Sequence, residues 1–312
     1  MSSPPAPAAR ASLSSRFVSA SSSSAGGVDH HAPAAPPAPA APPLKFLVFG
    51  DVRGRFGLLS SLLGRAHSSK TAGPFDVAFA VGTFFGSSAG GVPSAAMLSS
   101  AFRDLPVPLY IILGKEPSCA SPFLDSLPSR GCQLSDRLYF LGRSGVTSVC
   151  DGRLRVAYLS GVCDPATFGD RPSRVDHSRF ELRKTRYESD YLVGEVEELL
   201  GAAASSSSSS CDVLLTSEWG EGLPAAPASS AAVAEIASKV AARYHFAGCR
   251  DADVALQLPP YLAFEGAPHA TRFYGLAGLG NAAKAKAFQA ISLGAATAPA
   301  AGPNPYRAAA AA

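Results

Sequence analysis

The sequence predicts an α/β fold in which two mixed β-sheets stack as a sandwich flanked by helices. Three observations predict it. Short apolar runs of strand length alternate with segments of helical period through the first three quarters of the ordered chain. Several of those runs close on a glycine followed by a short loop, as in Phe49-Gly50-Asp51 and Val81-Gly82-Thr83. The last ordered stretch is strand-rich, which points to a mixed sheet rather than a purely parallel one.

Folding signals begin at Leu44. Lys45–Phe49 reads as a buried strand, and Phe56, Leu59, Leu62 and Leu63 recur at helical spacing directly after it. Asp76–Val81 and Leu109–Leu113 read as the next two strands, closed by Gly82 and Gly114. Leu138–Leu141 and Leu154–Leu159 read as strands joined through a turn at Asp151-Gly152. Residues 189–200 predict a helix with Ser189 as its N-cap. Ser205–Ser210 is a low-complexity surface loop, and Asp212–Thr216 is a strand. An amphipathic helix carrying Val233, Ile236, Ala237, Val240 and Ala241 leads into a strand at Arg243–Ala247. Tyr261–Phe264, Thr271–Ala277 and Phe288–Leu293 complete the strand-rich finish.

Composition separates the body from its ends. Residues 1–43 are mostly Ala, Pro and Ser and hold one Leu, one Phe and two Val, too little apolar surface to offset their ordering entropy. The expectation is a disordered tail over 1–43, one domain over 44–295 and a second disordered tail over 296–312. Arg10, Arg16 and the absence of acids in residues 1–28 also fit an organelle transit peptide, but the prolines limit an amphipathic helix and favour the plain tail. No apolar run reaches the length of a membrane span. A net charge of +3, from 27 basic and 24 acidic residues, is too balanced to argue nucleic-acid binding by itself. The six cysteines are scattered without a C-x-x-C pair, which reads as free thiols in a reducing compartment, cytosol or nucleus.

Function in such folds collects at the carboxyl ends of strands. Two-metal phosphoester chemistry needs Asp, His and Asn side chains there, holding two cations about 4 Å apart against the attacking and leaving oxygens. The five corresponding loops hold Asp51 and Arg53, then Thr83, then Lys115 and Glu116, then Ser217, and finally Cys249 and Asp251. Their order and spacing resemble the calcineurin-like metallophosphoesterase family, of whose ligands only the first-motif Asp survives, as Asp51. Against that family's motifs, Arg53 replaces a His, Thr83 the bridging Asp, and Lys115-Glu116 an Asn-His pair. Ser217 replaces a further His, and Cys249-Arg250-Asp251 stands in for the His-x-His of the last loop. Arg53 and Lys115 also put cationic heads beside the former metal positions, which opposes further positive charge. The expectation is a degenerate site with no metal, no cofactor and no catalysis. Asp51 reads as a partner of Arg53 or a helix cap ahead of a residual ligand. Arg53 and Lys115 read equally well as phosphate contacts or as a solvated or salt-bridged pair.

A second resemblance covers about residues 45–306. The strings Gly50-Asp51-Val52-x-Gly54, Val81-Gly82-x-Phe84-Phe85-Gly86, Tyr158-Leu159-Ser160-Gly161 and Leu214-Leu215-Thr216-Ser217-x-Trp219 occur in this order. Arg243-Tyr244-His245-Phe246-Ala247, His269-Ala270-Thr271-Arg272-Phe273 and Asn304-Pro305-Tyr306 follow. The ordered set is similar to the CwfJ-type, Cwf-nineteen-like proteins, relatives of the lariat debranching enzyme. The resemblance implies a nuclear, spliceosome-associated protein acting in pre-mRNA splicing and intron-lariat turnover. It further implies a non-catalytic phosphoesterase-like domain, with spliceosomal proteins and the debranching enzyme as partners. Members continue into HIT-like and CwfJ modules, with a CCCH zinc finger in many plant proteins. Neither string occurs here before the Ala308–Ala312 tail, so the chain reads as the N-terminal domain alone.

Two further readings compete with the adaptor. One is a weakly active metal-dependent RNA phosphodiesterase using Asp51, Glu116 and Asp251. The other is an RNA-binding module using Arg53, Lys115, Arg272 and the segment 171–187, where Arg179, Arg183, Lys184 and Arg186 interleave with Phe180 and Tyr187. Asp170, Asp176, Glu181 and Glu188 partly cancel that charge and favour a solvated loop. His245 reads as a hydrogen-bonded core imidazole, and Trp219 as either a partner anchor or a residue packed over the core.

Overall fold

The computed structural model describes residues 42–86, 93–168, 189–205, 210–224, 229–248, 253–294 and 301–306. The chain runs β1 (Leu44–Phe49), α1 (Phe56–His67), β2 (Val77–Ala80), α2 (Ala95–Phe102), β3 (Leu109–Ile111), α3 (Ser121–Leu124), β4 (Cys132–Ser135) and β5 (Leu138–Phe140). It continues through β6 (Ser144–Val149), β7 (Leu154–Leu159), α4 (Pro165–Phe168), α5 (Val193–Ala204), β8 (Ser210–Thr216), β9 (Trp219–Gly220) and β10 (Ser229–Ser230). The last elements are α6 (Ala231–Lys239), β11 (Ala241–Ala247), β12 (Leu256–Gln257), β13 (Arg272–Gly275) and β14 (Phe288–Leu293).

Two six-stranded sheets form, in the orders β14-β1-β2-β3-β5-β4 and β12-β13-β11-β8-β7-β6. In the first, β1, β2, β3 and β5 are parallel, with β14 and β4 antiparallel at the edges. The second repeats this plan, with β7, β8, β11 and β13 parallel between antiparallel β6 and β12. The expected sandwich of two mixed sheets flanked by helices is therefore the observed architecture.

Side-chain alternation explains the layering. Phe46 and Val48 of β1 face inward with Val77, Phe79, Val156, Val213, Leu215 and Phe246, closing the core between the sheets. Leu47 and Phe49 face outward against Leu59 and Leu63 of α1 and Leu98 and Phe102 of α2. On the other side, Ala157, Leu159 and Leu214 meet Val196 and Leu199 of α5 and Val233 and Ile236 of α6. Strands covered on both faces read as continuous apolar runs, which is why β1, β7 and β8 were legible.

Several local readings need correction. The Asp151-Gly152 turn joins β6 to β7, not Leu138–Leu141 to β7, and β4, β6 and α2 were not foreseen. β6 and β4 are polar-rich edge strands and α2 is short, so none carries a strong periodicity. The helix expected at 189–200 begins at Val193. Ser189 instead accepts the Glu116 N–H at 3.1 Å, and Glu195 caps α5 by accepting the Leu192 N–H at 2.9 Å. Tyr261–Phe264 is reduced to isolated bridges from Tyr261 to Thr271 and to Gly302.

The C-terminal stretch also differs from the expectation. Residues 301–306, placed in a tail by composition, pack on the domain. Gly302 bridges Tyr261, Asn304 Nδ2 donates to the Ala263 carbonyl at 2.6 Å, and Tyr306 is only 4% exposed. One aromatic ring supplies the burial that the surrounding alanines and prolines conceal. The tail reading of residues 1–41 lies outside the described residues, as do those of 206–209 and 307–312.

Candidate functional site

The loops leaving the parallel strands of both sheets meet at one end of the sandwich. Ser217 Oγ, after β8, donates to the Leu113 carbonyl, after β3, at 3.0 Å. The Gly161 N–H, after β7, donates to the same carbonyl at 2.6 Å. Backbones touch directly here. A Cβ on Gly248 would stand 2.6 Å from Gly82 Cα, and one on Gly114 would stand 2.7 Å from the Gly82 carbonyl carbon. Gly82 itself, at φ +80, would drive a Cβ onto Asp51 Oδ1. Only glycine fits these close approaches, which accounts for the glycine-ended strands in the sequence.

Asp51 is fully buried and accepts the Thr83 N–H on Oδ1 at 2.6 Å. The Val52 and Arg53 amides return the connection to the Thr83 carbonyl at 2.9 and 3.1 Å. Arg53 sits in the left-handed region at φ 50, and this turn aims its guanidinium back across the site. One terminal nitrogen lies 3.2 Å from Asp253 Oδ1 and the other 4.0 Å from Asp51 Oδ2. The salt-bridge reading of Arg53 and Asp51 holds, with Asp253 as the closer partner.

Thr83 Oγ1 donates to the Lys115 carbonyl at 3.1 Å, while the Lys115 side chain is exposed. Glu116 is the most heavily engaged residue. Its Oε1 accepts the Phe84 N–H at 2.8 Å and the Gly114 N–H at 3.1 Å, and its Oε2 accepts the Phe85 N–H at 2.8 Å. Burial pushes its pKa up to about 7, the three amide donors pull it down, and the nearby Asp51 charge adds to the rise. Cys249 and Asp251 lie outside the described residues.

The resemblance to metallophosphoesterases implies two divalent cations, and the donors among the described residues do not fit them. A metal pair needs several carboxylate or imidazole lone pairs free to converge. Asp51 and Glu116 direct theirs at backbone amides, and Arg53 already supplies the local positive charge. Among the described residues, no three His, Cys, Asp or Glu side chains cluster as metal ligands would.

Two buried polar clusters and one half-exposed ion pair nearby escaped the sequence reading. Glu218, fully buried, accepts the Cys163 N–H at 2.7 Å and the Tyr191 hydroxyl at 2.6 Å. Arg143 pairs with Glu195 and donates to the Asp190 carbonyl at 2.8 Å. Asp253 meets Arg53 across a separation of 200 residues. Their signal in the sequence is a lone charge beside an apolar strand or at a helix start, which by itself does not name a partner.

His245 is a core imidazole, as expected. Thr216 Oγ1 donates to the Glu218 carbonyl at 2.9 Å and lies 2.9 Å from His245 Nε2, so Nε2 carries the proton donated to Thr216. Desolvation lowers the His245 pKa to about 3. Trp219 is 1% exposed and packs edge-on to Phe273, so it is core and not a surface anchor. Gly275 makes room for its indole, since a Cβ there would lie 2.9 Å from Trp219 Nε1.

Arg272 stands at the amino end of β13, its guanidinium 5.7 Å over the Tyr244 ring, away from the loops that hold Arg53 and Lys115. Those two loops meet through Thr83, whose carbonyl accepts the Arg53 N–H and whose hydroxyl donates to the Lys115 carbonyl; Arg272 is not brought to them. Arg179, Arg183, Lys184 and Arg186 lie outside the described residues.

No protein-family model matches the chain. It is 32% identical over 255 residues to CWF19-like protein 1 homolog of Caenorhabditis elegans, covering 78% of this chain and 42% of that protein. It is 31% identical over 256 residues to the Drosophila melanogaster homolog, covering 80% and 44%. It is also 31% identical over 290 residues to zinc finger CCCH domain-containing protein 59 of Oryza sativa subsp. japonica, covering 84% and 42%. The chain thus spans less than half the length of these relatives.

Proposed function

The chain belongs to the CWF19-like family, and from that premise we propose that it is a non-catalytic metallophosphoesterase-like adaptor. It acts in the nucleus with the spliceosome, in pre-mRNA splicing and intron-lariat turnover, and modulates debranching through contact with spliceosomal proteins and the debranching enzyme. The observation that carries the non-catalytic half is the engagement of the site's own groups. Asp51 and Glu116 accept four backbone amides, and Arg53 stands beside Asp51 where positive charge opposes a cation. The splicing half is drawn from the family alone.

Two measurements test the reading. Protein purified with manganese supplied is expected to hold substoichiometric metal and to leave a branched RNA intact. Stoichiometric manganese together with debranching turnover overturns the non-catalytic claim. Splicing proteins recovered with the tagged chain from nuclear extract are expected to survive ribonuclease treatment. Their loss would favour an RNA-binding module instead.

A further inference from the structure

Three successive amides after β2 point at carboxylates. Thr83 donates to Asp51 Oδ1 at 2.6 Å, and Phe84 and Phe85 donate to the two oxygens of Glu116 at 2.8 Å each. Gly114, from the neighbouring strand end, adds a donor to Glu116 Oε1 at 3.1 Å. Gly82, at φ +80, reverses the chain so that these amides converge on one side of the turn. A concavity of consecutive backbone N–H groups of this kind binds oxyanions, phosphate included. Here the anion is part of the chain.

Glu116 is delivered to the turn by two clamps. Its own N–H donates to Ser189 Oγ at 3.1 Å, and the carbonyl of Lys115 accepts from Thr83 Oγ1 at 3.1 Å. Lys115 is exposed beside it, and Arg53 stands on the far side of Asp51, so cations border the concavity. The carboxylate is 8% exposed at residue level, at the edge of the closed loops and not deep within a sheet.

We propose that the Gly82–Phe85 turn is an oxyanion-binding nest whose ligand is supplied in cis by Glu116, an internal stand-in that closes the site to external phosphate. The Phe84 and Phe85 amides of the turn, joined by the Gly114 amide from the neighbouring loop, hold the two carboxylate oxygens as they would hold two oxygens of a phosphoryl group. While Glu116 is in place, the Phe84, Phe85 and Gly114 amides are engaged by it and the Thr83 amide by Asp51, so none of the four is open to a second anion. The Glu116 side chain makes the turn a brace between two strand-end loops. This goes beyond the adaptor reading and does not depend on which partner the chain binds.

Inorganic phosphate, titrated calorimetrically into the full chain and into Glu116→Ala, tests it. The variant is expected to bind phosphate saturably, with a dissociation constant at least about tenfold below any seen in the unaltered chain, about 1.4 kcal/mol. Phosphate or acetate is expected to raise the unfolding temperature of the variant and leave that of the unaltered chain in place. A folded variant that binds no phosphate, or an unaltered chain that binds it equally, overturns the proposal. If Glu116→Ala is too unstable to purify, refolding yield becomes the readout for it and for Glu116→Gln. Recovery of the alanine variant in phosphate or acetate but not in chloride supports the nest, whereas equal yields in all three overturn it. Manganese uptake is measured separately, so failure of the non-catalytic reading is distinguishable from failure of this one.

Discussion

Glu116 and His245 are both buried and pull the pH dependence of stability in opposite directions. His245, held at about 3 against an ordinary 6.5, refuses a proton that the unfolded chain accepts. Its contribution is complete above pH 6.5 and is lost as pH falls toward 3. Glu116, raised to about 7 against an ordinary 4.5, keeps a proton that the unfolded chain releases. Its contribution is complete below pH 4.5 and is lost as pH rises through 7. Between those ordinary values each group tilts the unfolding free energy by about 1.4 kcal/mol per pH unit, with opposite sign. Urea unfolding from pH 4.5 to 6.5 is therefore expected to show little net slope from this pair. His245→Phe should make stability fall with rising pH over that window, and Glu116→Gln should make it rise. Identical slopes in the two variants would contradict the assignment.

Among the elements, the join between β5, β6 and α5 depends on one ion pair. The Arg143 and Glu195 side chains are 4% and 3% exposed. Glu195 also caps α5, and Arg143 also holds the Asp190 carbonyl, so one pair fixes the entry to the helix and the segment before it. A buried charge that loses its partner typically costs about 3–5 kcal/mol, while an apolar replacement of both is often neutral. Arg143→Met should therefore lower stability by about that amount, and the Arg143→Met/Glu195→Leu double variant should recover most of it. Chemical denaturation of the four species gives the coupling. Additive losses would mean that the two charges do not act as a pair.

For the molecule as a whole, residues 301–306 complete the core behind the second sheet. Tyr306 packs on Tyr261 with ring centroids 5.9 Å apart and lies over Gly220, where a Cβ would meet its ring. Truncating a large buried aromatic costs about 3–5 kcal/mol. Tyr306→Ala should lower stability by that order and speed hydrogen exchange at Leu262, whose amide donates to the Gly302 carbonyl at 3.3 Å. Unchanged exchange at Leu262 would show that the segment is an ornament on the fold. Phe273 and Trp219 share this cluster, so their neighbours should loosen with it.

The sequence by itself determined the architecture. Strands covered on both faces read as apolar runs, and close backbone approaches demand glycine at Gly82, Gly114 and Gly248, so both were visible without coordinates. That Arg53, Thr83, Lys115 and Ser217 stand where metallophosphoesterases carry metal ligands is what the resemblance implies, and it belongs with the proposed function. Only the tertiary structure decided what those residues do instead. Arg53 meets Asp253 across 200 residues, Glu116 turns its carboxylate to the amides of another strand-end loop, and Trp219 and Tyr306 go inside the core. Periodicity reports which face of an element is apolar, not which distant group will satisfy a buried charge. Those partners are set by packing between the sheets and their loops, and packing is a property of the assembled chain.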